Sequence, residues 1–185
     1  VDATLIHASE PKRKKDEYGN VISNEAHDTD ATYTSKRGVK HHGYKMHIAT
    51  DRAGLVTEVK TTTAKVHDSQ MIDALTQNET KAIFADSGYM SKERKRLLRS
   101  KGIFNGVIER RVRGQKELSA KQSKNNQRFS KIRSIVEMPF AFMKRLMHYT
   151  QTKYLGLHKN TQYHYLLAAA YNLRRMPNLI IQRGG

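Results

Sequence analysis

"YKMHIATDRAGLVTEVKTTTA", residues 44–64, sets the architecture of the chain. Two runs rich in β-branched and aromatic residues flank "DRAG", Asp51 to Gly54, a turn signal between strand-like segments. The spacing predicts an antiparallel hairpin whose alternation sends Lys45 and His47 to one face and Met46 to the other. Upstream, "VDATLI" at residues 1–6 is β-branched and apolar at alternate positions and reads as a further strand. Between the two, Ser9 to His41 is polar and charged, and reads as a long loop or arm.

Downstream of the hairpin, helices and strands alternate. "HDSQMIDALTQN" opens with Asp68 as a cap and sets Met71, Ile72 and Leu75 at helical spacing. "KAIFADSGY", residues 81–89, is a compact apolar run that reads as a buried strand ending at Asp86, Ser87 and Gly88. "SKERKRLLRSKGI" is a charged helix with Ser91 as its cap and Gly102 just past its end. "GVIERR", residues 106–111, reads as a short strand and 112–128 as a basic connection. Helices are expected over about 126–148 and 160–175, the second stopped before Pro177. This order predicts one α/β domain over residues 1–185, a mixed five-stranded sheet flanked by helices.

Composition narrows the partners. Lys and Arg number 34 against 17 Asp and Glu, a net charge of +17 that suits a polyanion, with nucleic acid the first candidate. No apolar run approaches the roughly 18 residues of a spanning helix, which argues against a membrane. The absence of cysteine excludes disulfides and thiolate zinc sites and fits a reducing cytoplasm. His41, His42, His47 and His67 match no zinc spacing. Because the first residue is Val and a strand begins at once, the sequence reads as part of a longer protein.

Three carboxylates stand where chemistry could be done. Asp2 lies on the first strand, Asp86 at the end of the buried strand, and Glu137 in "RSIVEMPFAFMK", residues 133–144. At about 100° per residue, Arg133 and Lys144 fall within about 40° of Glu137, so the three share one helical stripe beside an apolar one. Each acid has an ordinary explanation: Glu137 as the i, i+4 partner of Arg133, Asp86 as a turn cap. Their order along the chain favours a site, since α/β sheets place ligands at the carboxyl ends of central strands.

These motifs resemble the nuclease domain of bacterial insertion-sequence transposases of the DDE class, the insertion-sequence-five family in particular. The resemblance runs through "VDATLI", "DTDATYTSKRGVKHHGYKMHIATD", "KVHDSQ", "ADSGY", "IRSIVEMPFAFMK", "YLGLHKN" and "LAAAYNLRRM", nearly the whole chain. The family pattern of Tyr, Arg, Glu and Lys is matched by Arg133, Glu137 and Lys144, with Ser130 at the tyrosine position. The resemblance implies a ribonuclease H-like fold in which Asp2, Asp86 and Glu137 are catalytic and bind two Mg²⁺ ions, with Mn²⁺ able to substitute. It implies metal-dependent cleavage and strand transfer of double-stranded DNA, at element ends and target, in a nucleoid-associated bacterial protein. It further implies a missing N-terminal segment that binds element ends and forms a homodimer. Lys45, Arg133, Lys144, Arg110, Arg111 and Arg113 are the expected DNA contacts, with "KRKK" at 12–15 a further basic run. Two alternatives stay open: a DNA-binding remnant without chemistry, and a ribonuclease H-like nuclease with another substrate.

Overall fold

The computed structural model describes residues 1–10, 14–22, 28–89, 91–111 and 113–183. Lys12 and Arg13 of the basic run lie outside the described residues. The first strands are β1 (Asp2–His7), the two-residue pair β2 (Lys14–Lys15) and β3 (Val21–Ile22), and β4 (Thr32–Lys36). The predicted hairpin follows as β5 (Val39–Thr50) and β6 (Val56–Thr63), antiparallel throughout. Asp51 and Gly54 close its turn, with Leu55 N–H donating to Asp51 Oδ1 at 2.9 Å.

β5 is the central strand. β1 pairs along one side, while β6 and then β4 occupy its other partners, giving a four-stranded antiparallel sheet. The register Thr4↔Met46↔Thr61 and Ala3↔His47↔Lys60 separates the two faces as alternation requires. At Gly43, with φ 151°, β1 passes so close that an added Cβ would strike the Ile6 carbonyl oxygen. The arm predicted between Ser9 and His41 therefore contains a real strand. Its "TYTSK" is polar on both faces, so no hydrophobic alternation marked it.

Met46, Ile48, Val56 and Val59 pack against Val136, Phe140, Met143, Leu167 and Tyr171 to form the main core. The helical partners come from a 3-10 turn over Ser134–Val136, α4 (Glu137–Arg145) and α5 (Leu157–Arg183); the short helix α1 (Ile72–Leu75), α2 (Lys92–Ser100) and α3 (Ala120–Arg133) precede them, and α3 buries no residue of its own. A second cluster joins Ile72, Ile83, Ala85, Tyr89, Leu98, Ile103 and Val107. It surrounds a parallel pair, β7 (Ala82–Ile83) and β8 (Phe104–Asn105), whose ladder continues as Gly106 and Ile108 donate to Ile83 and Ala85. The five-stranded sheet expected from the sequence is thus resolved into four strands plus this separate pair. Val1 N, donating to Phe84 O at 2.7 Å, ties the start of β1 to the end of β7.

The helices also depart from expectation at their ends. α3 begins at Ala120 because Ser119 and Gln122 form a reciprocal capping box, a Ser-x-x-Gln signal inside the stretch read as a connection. α5 runs through Pro177 to Arg183. Along it Leu167 and Tyr171 are core, whereas Tyr165, Leu166 and Leu173 are exposed. Ser91 caps α2 as predicted, accepting from Arg94 N–H at 3.0 Å. Ahead of α1, a 3-10 turn over Asp68–Gln70 is capped by His67, which accepts from Ser69 N–H, and Asp68 is left for another partner.

Two buried imidazoles link the layers. His164 bonds Thr61 Oγ1 at 2.7 Å and Tyr149 Oη at 3.0 Å, and His47 bonds Thr62 Oγ1 at 2.8 Å. Burial pushes both down to about 4, with a smaller lowering of His164 by His47 and a partial rescue of His47 by Asp68. An unfolded chain holds its histidines near 6.5, so it binds more protons than the native state below that value. The stability they supply is complete above pH 6.5 and is lost as pH falls toward 4. Urea melts at pH 7 and pH 5 should show a lower midpoint at pH 5, and equal midpoints would contradict these assignments.

Candidate active site

The start of β1 meets the carboxyl end of β7, where Val1 N donates to Phe84 O. Asp2 sits on the core-facing side of that strand, opposite Ile48. Burial pushes its carboxyl above the usual aspartate range, against the pull of the Ala3 amide and the Arg133 guanidinium, and the Glu137 charge adds to the rise. Arg133, in the last turn of α3, donates through Nη1 to Asp2 Oδ2 at 3.0 Å and through Nη2 to Glu137 Oε1 at 2.8 Å. A guanidinium fork therefore holds together two acids that are 135 positions apart in sequence, 2 and 137. The helical stripe read from the sequence survives the break between α3 and α4. Glu137 opens α4 at the rim of the core with its side chain 55% exposed.

Asp86 occupies the loop after β7. Its Oδ1 accepts from Ser87 N–H at 2.6 Å and from the Ser87 hydroxyl at 3.2 Å, and Arg110 Nε donates to the same hydroxyl. Arg110 thus reaches Asp86 through one serine. Tyr89 closes the turn, its N–H donating to Asp86 O at 3.0 Å. Its side chain is buried, and burial together with the charges of Asp68, Asp2 and Asp86 raises its hydroxyl above the ordinary phenol value, while Arg133 opposes the rise. Among the described residues, the buried Tyr89 hydroxyl and Arg133 Nε have no hydrogen-bond partner. Sequence reading passed over Tyr89, which lies within "ADSGY" but has no spacing of its own to announce a site role.

The other expected contacts divide into two groups. Lys45 turns inward: its Nζ donates to Val66 O at 2.8 Å and lies 2.9 Å from Asp68 Oδ1, with the side chain 15% exposed. This is the partner that Asp68, relieved of capping, takes up. Arg110 and Arg111 line an open hollow of about 650 Å³ with Glu117, Leu118 and Ser123, and Arg113 is exposed. Lys144 is half-buried, its ammonium lowered by burial and then by the nearby charge of Lys36.

Asp28 and Asp30, for which sequence reading found no physical task, have one. Asp28 Oδ1 accepts from the Tyr44 hydroxyl at 2.6 Å and Oδ2 from Gly156 N–H at 3.1 Å, while Asp30 Oδ2 accepts from Leu157 N–H at 2.8 Å. The two carboxylates fasten the first turn of α5 to the sheet.

The metal expectation can be tested against these groups. Hard divalent cations take oxygen donors, and Asp2, Asp86 and Glu137 supply only those. Arg133 holds a positive charge between two of them, a stand-in for a cation. Among the described residues, however, no three Asp, Glu or His side chains stand close enough to share one metal ion. The donor set fits such ions in kind, and the Asp86 carboxylate is engaged by Ser87.

A mixed α/β scaffold thus gathers acids and arginines at one end of a +17 chain. Residues 1–173 match the family described as the transposase DDE domain, and the chain belongs to it. It is 30% identical, over 186 aligned residues, to the transposase for insertion sequence element IS1106 of Neisseria meningitidis serogroup B. That match covers 96% of this chain and 64% of the relative, so the chain spans less than two thirds of that protein. No solved structure matches the chain. No helix among the described residues is long and apolar enough to cross a membrane.

Proposed function

We propose that this chain is the catalytic portion of an insertion-sequence transposase of the insertion-sequence-five type, cutting DNA strands and joining the freed ends to target DNA. The observation that carries this is the Arg133 fork, which brings Asp2 and Glu137 to one point at the mouth of the fold. A ribonuclease H-like arrangement accords with the antiparallel sheet, the parallel pair next to β1, and a helix that delivers the third acid.

In this reading Asp2, Asp86 and Glu137 would hold two Mg²⁺ ions, for which Mn²⁺ would substitute. When bound, such cations activate the attacking oxygen and steady the leaving one. The chain's own groups position the strand. Arg133 keeps Asp2 and Glu137 facing each other before DNA arrives, and its fork suits a phosphate equally well. Ser87 fixes the Asp86 carboxylate, and Arg110 behind it adds positive charge toward the same phosphate. Hydrolysis breaks the bond between phosphorus and the 3′ oxygen, leaving a 3′-hydroxyl and a 5′-phosphate. The freed 3′-hydroxyl then attacks a target phosphodiester and releases that strand's own 3′-hydroxyl.

Supercoiled plasmid incubated with Mg²⁺ or Mn²⁺ tests the reading. Wild-type chain should nick it and Asp86→Asn should not. Duplex binding without acid-dependent nicking would instead identify a DNA-binding remnant.

A further inference from the structure

The hairpin joining β4 to β5 ends in a turn whose residue choice the fold does not explain. Lys36 pairs with Val39, leaving Arg37 and Gly38 as a two-residue turn, both in the left-handed region with φ 53° and 80°. Such turns favour Asn, Asp or Gly at the first central position, and a long side chain there holds strained backbone. Lys36, Arg37 and Lys40 are exposed at this tip. At its base the His7 and His41 rings lie 5.1 Å apart. Lys144 stands beside them: its charge and that of His41 add to the lowering of His7 by burial, as Lys36 adds to that of Lys144.

Positive groups crowded closely enough to depress one another are unfavourable until an anion joins them. None is supplied by the protein: among the described residues, no ion pair involves Lys36, Arg37, Lys40, His41 or Lys144. None of them lines the Arg110–Arg111 hollow. They are strung out instead. Lys144 lies seven positions after Glu137, about 10 Å along α4 at 1.5 Å per residue. His7 lies five positions after Asp2, about 17 Å along β1 at 3.3 Å per residue. Separate cations spread over such a length suit a polyanion with repeated phosphates better than one small anion.

We propose that the β4–β5 tip, with Lys36, Arg37 and Lys40 at its end and Lys144 and the His7–His41 pair at its base, is a clamp on DNA backbone phosphates outside the acid site. At about 3.4 Å per base step, its base contacts phosphates about three to five base pairs from the acids, with the tip reaching further. The clamp rests on the transposase reading, since it assigns a surface to that enzyme's DNA. It explains an arginine at a glycine-type position as a charge kept for its ligand at the expense of the turn.

The test is fluorescence anisotropy of a labelled random-sequence duplex with the full chain, without divalent cation, between about 50 and 200 mM salt. Lys36→Ala/Arg37→Ala/Lys40→Ala should weaken binding by about 10-fold or more and reduce the slope of log K against log salt by about 2 to 3, at 0.9 per phosphate. Arg37→Gly should weaken binding several-fold while raising Tm by about 2–4 °C, because glycine relaxes the turn. A merely structural arginine would lower Tm and leave binding alone. If wild type binds with a steep salt slope and both variants match it, the clamp is overturned and the DNA reading stands. If wild type itself shows no salt-dependent binding, both fall.

Discussion

Glu137→Gln should abolish metal-dependent plasmid nicking while leaving the fold and duplex affinity in place. The reasoning separates charge from structure. As a ligand, the carboxylate contributes part of the several kcal/mol that a bound cation gives to the transition state. At 1.36 kcal/mol per decade, its loss should lower the nicking rate by about 10³-fold. As a structural group it does little: its side chain is 55% exposed, and its bond to Arg133 is an i, i+4 surface pair. Such pairs contribute about 0.3–0.5 kcal/mol, too little to unfold a domain. Nicking rate, thermal melt and duplex affinity measured on one preparation resolve these roles. A variant that nicks at the wild-type rate would remove Glu137 from the chemistry and turn the Arg133 fork into an ordinary brace.

Asp28→Ala should do the reverse, destabilising the chain strongly through a residue remote from the acids. Its carboxylate is buried and serves three donors, the Tyr44 hydroxyl, the Gly156 amide and the nearby Asp30 amide. Truncation leaves the Tyr44 and Gly156 donors without this acceptor, at about 1–3 kcal/mol each. For a domain of this size that corresponds to a fall in Tm of about 5–15 °C, readable by circular dichroism. Asp28→Asn retains one acceptor oxygen and should recover part of the loss. Equal melting curves for wild type and Asp28→Ala would mean that α5 is held by its apolar face alone.

These two residues also show where sequence reading succeeds and where it stops. The β5–β6 hairpin was legible because local alternation, a Gly-bearing turn and burial all point the same way. The link between Arg133 and Glu137 was legible because helical geometry is local, and it persists even though a 3-10 turn interrupts the helix. Asp2 joining that pair followed only from the resemblance, since no local rule connects positions 2 and 137. Asp28 was illegible for the same reason: its partners lie 16 and 128 positions away. Lys45 was read as a DNA contact on charge alone, yet its face of the sheet is covered and its charge is taken by Asp68. β4 escaped notice because a strand polar on both sides carries no period-two signal.

The fastening of α5 by Asp28 and Asp30 has a consequence for biosynthesis. Both carboxylates leave the ribosome well before the residues they hold, Gly156 and Leu157, have been made. At about 5–20 residues per second, the nascent chain waits on the order of 6–25 s for its partner. Throughout that interval the apolar face of the hairpin, which α5 covers in the finished protein, is open to chaperones and to neighbouring nascent chains.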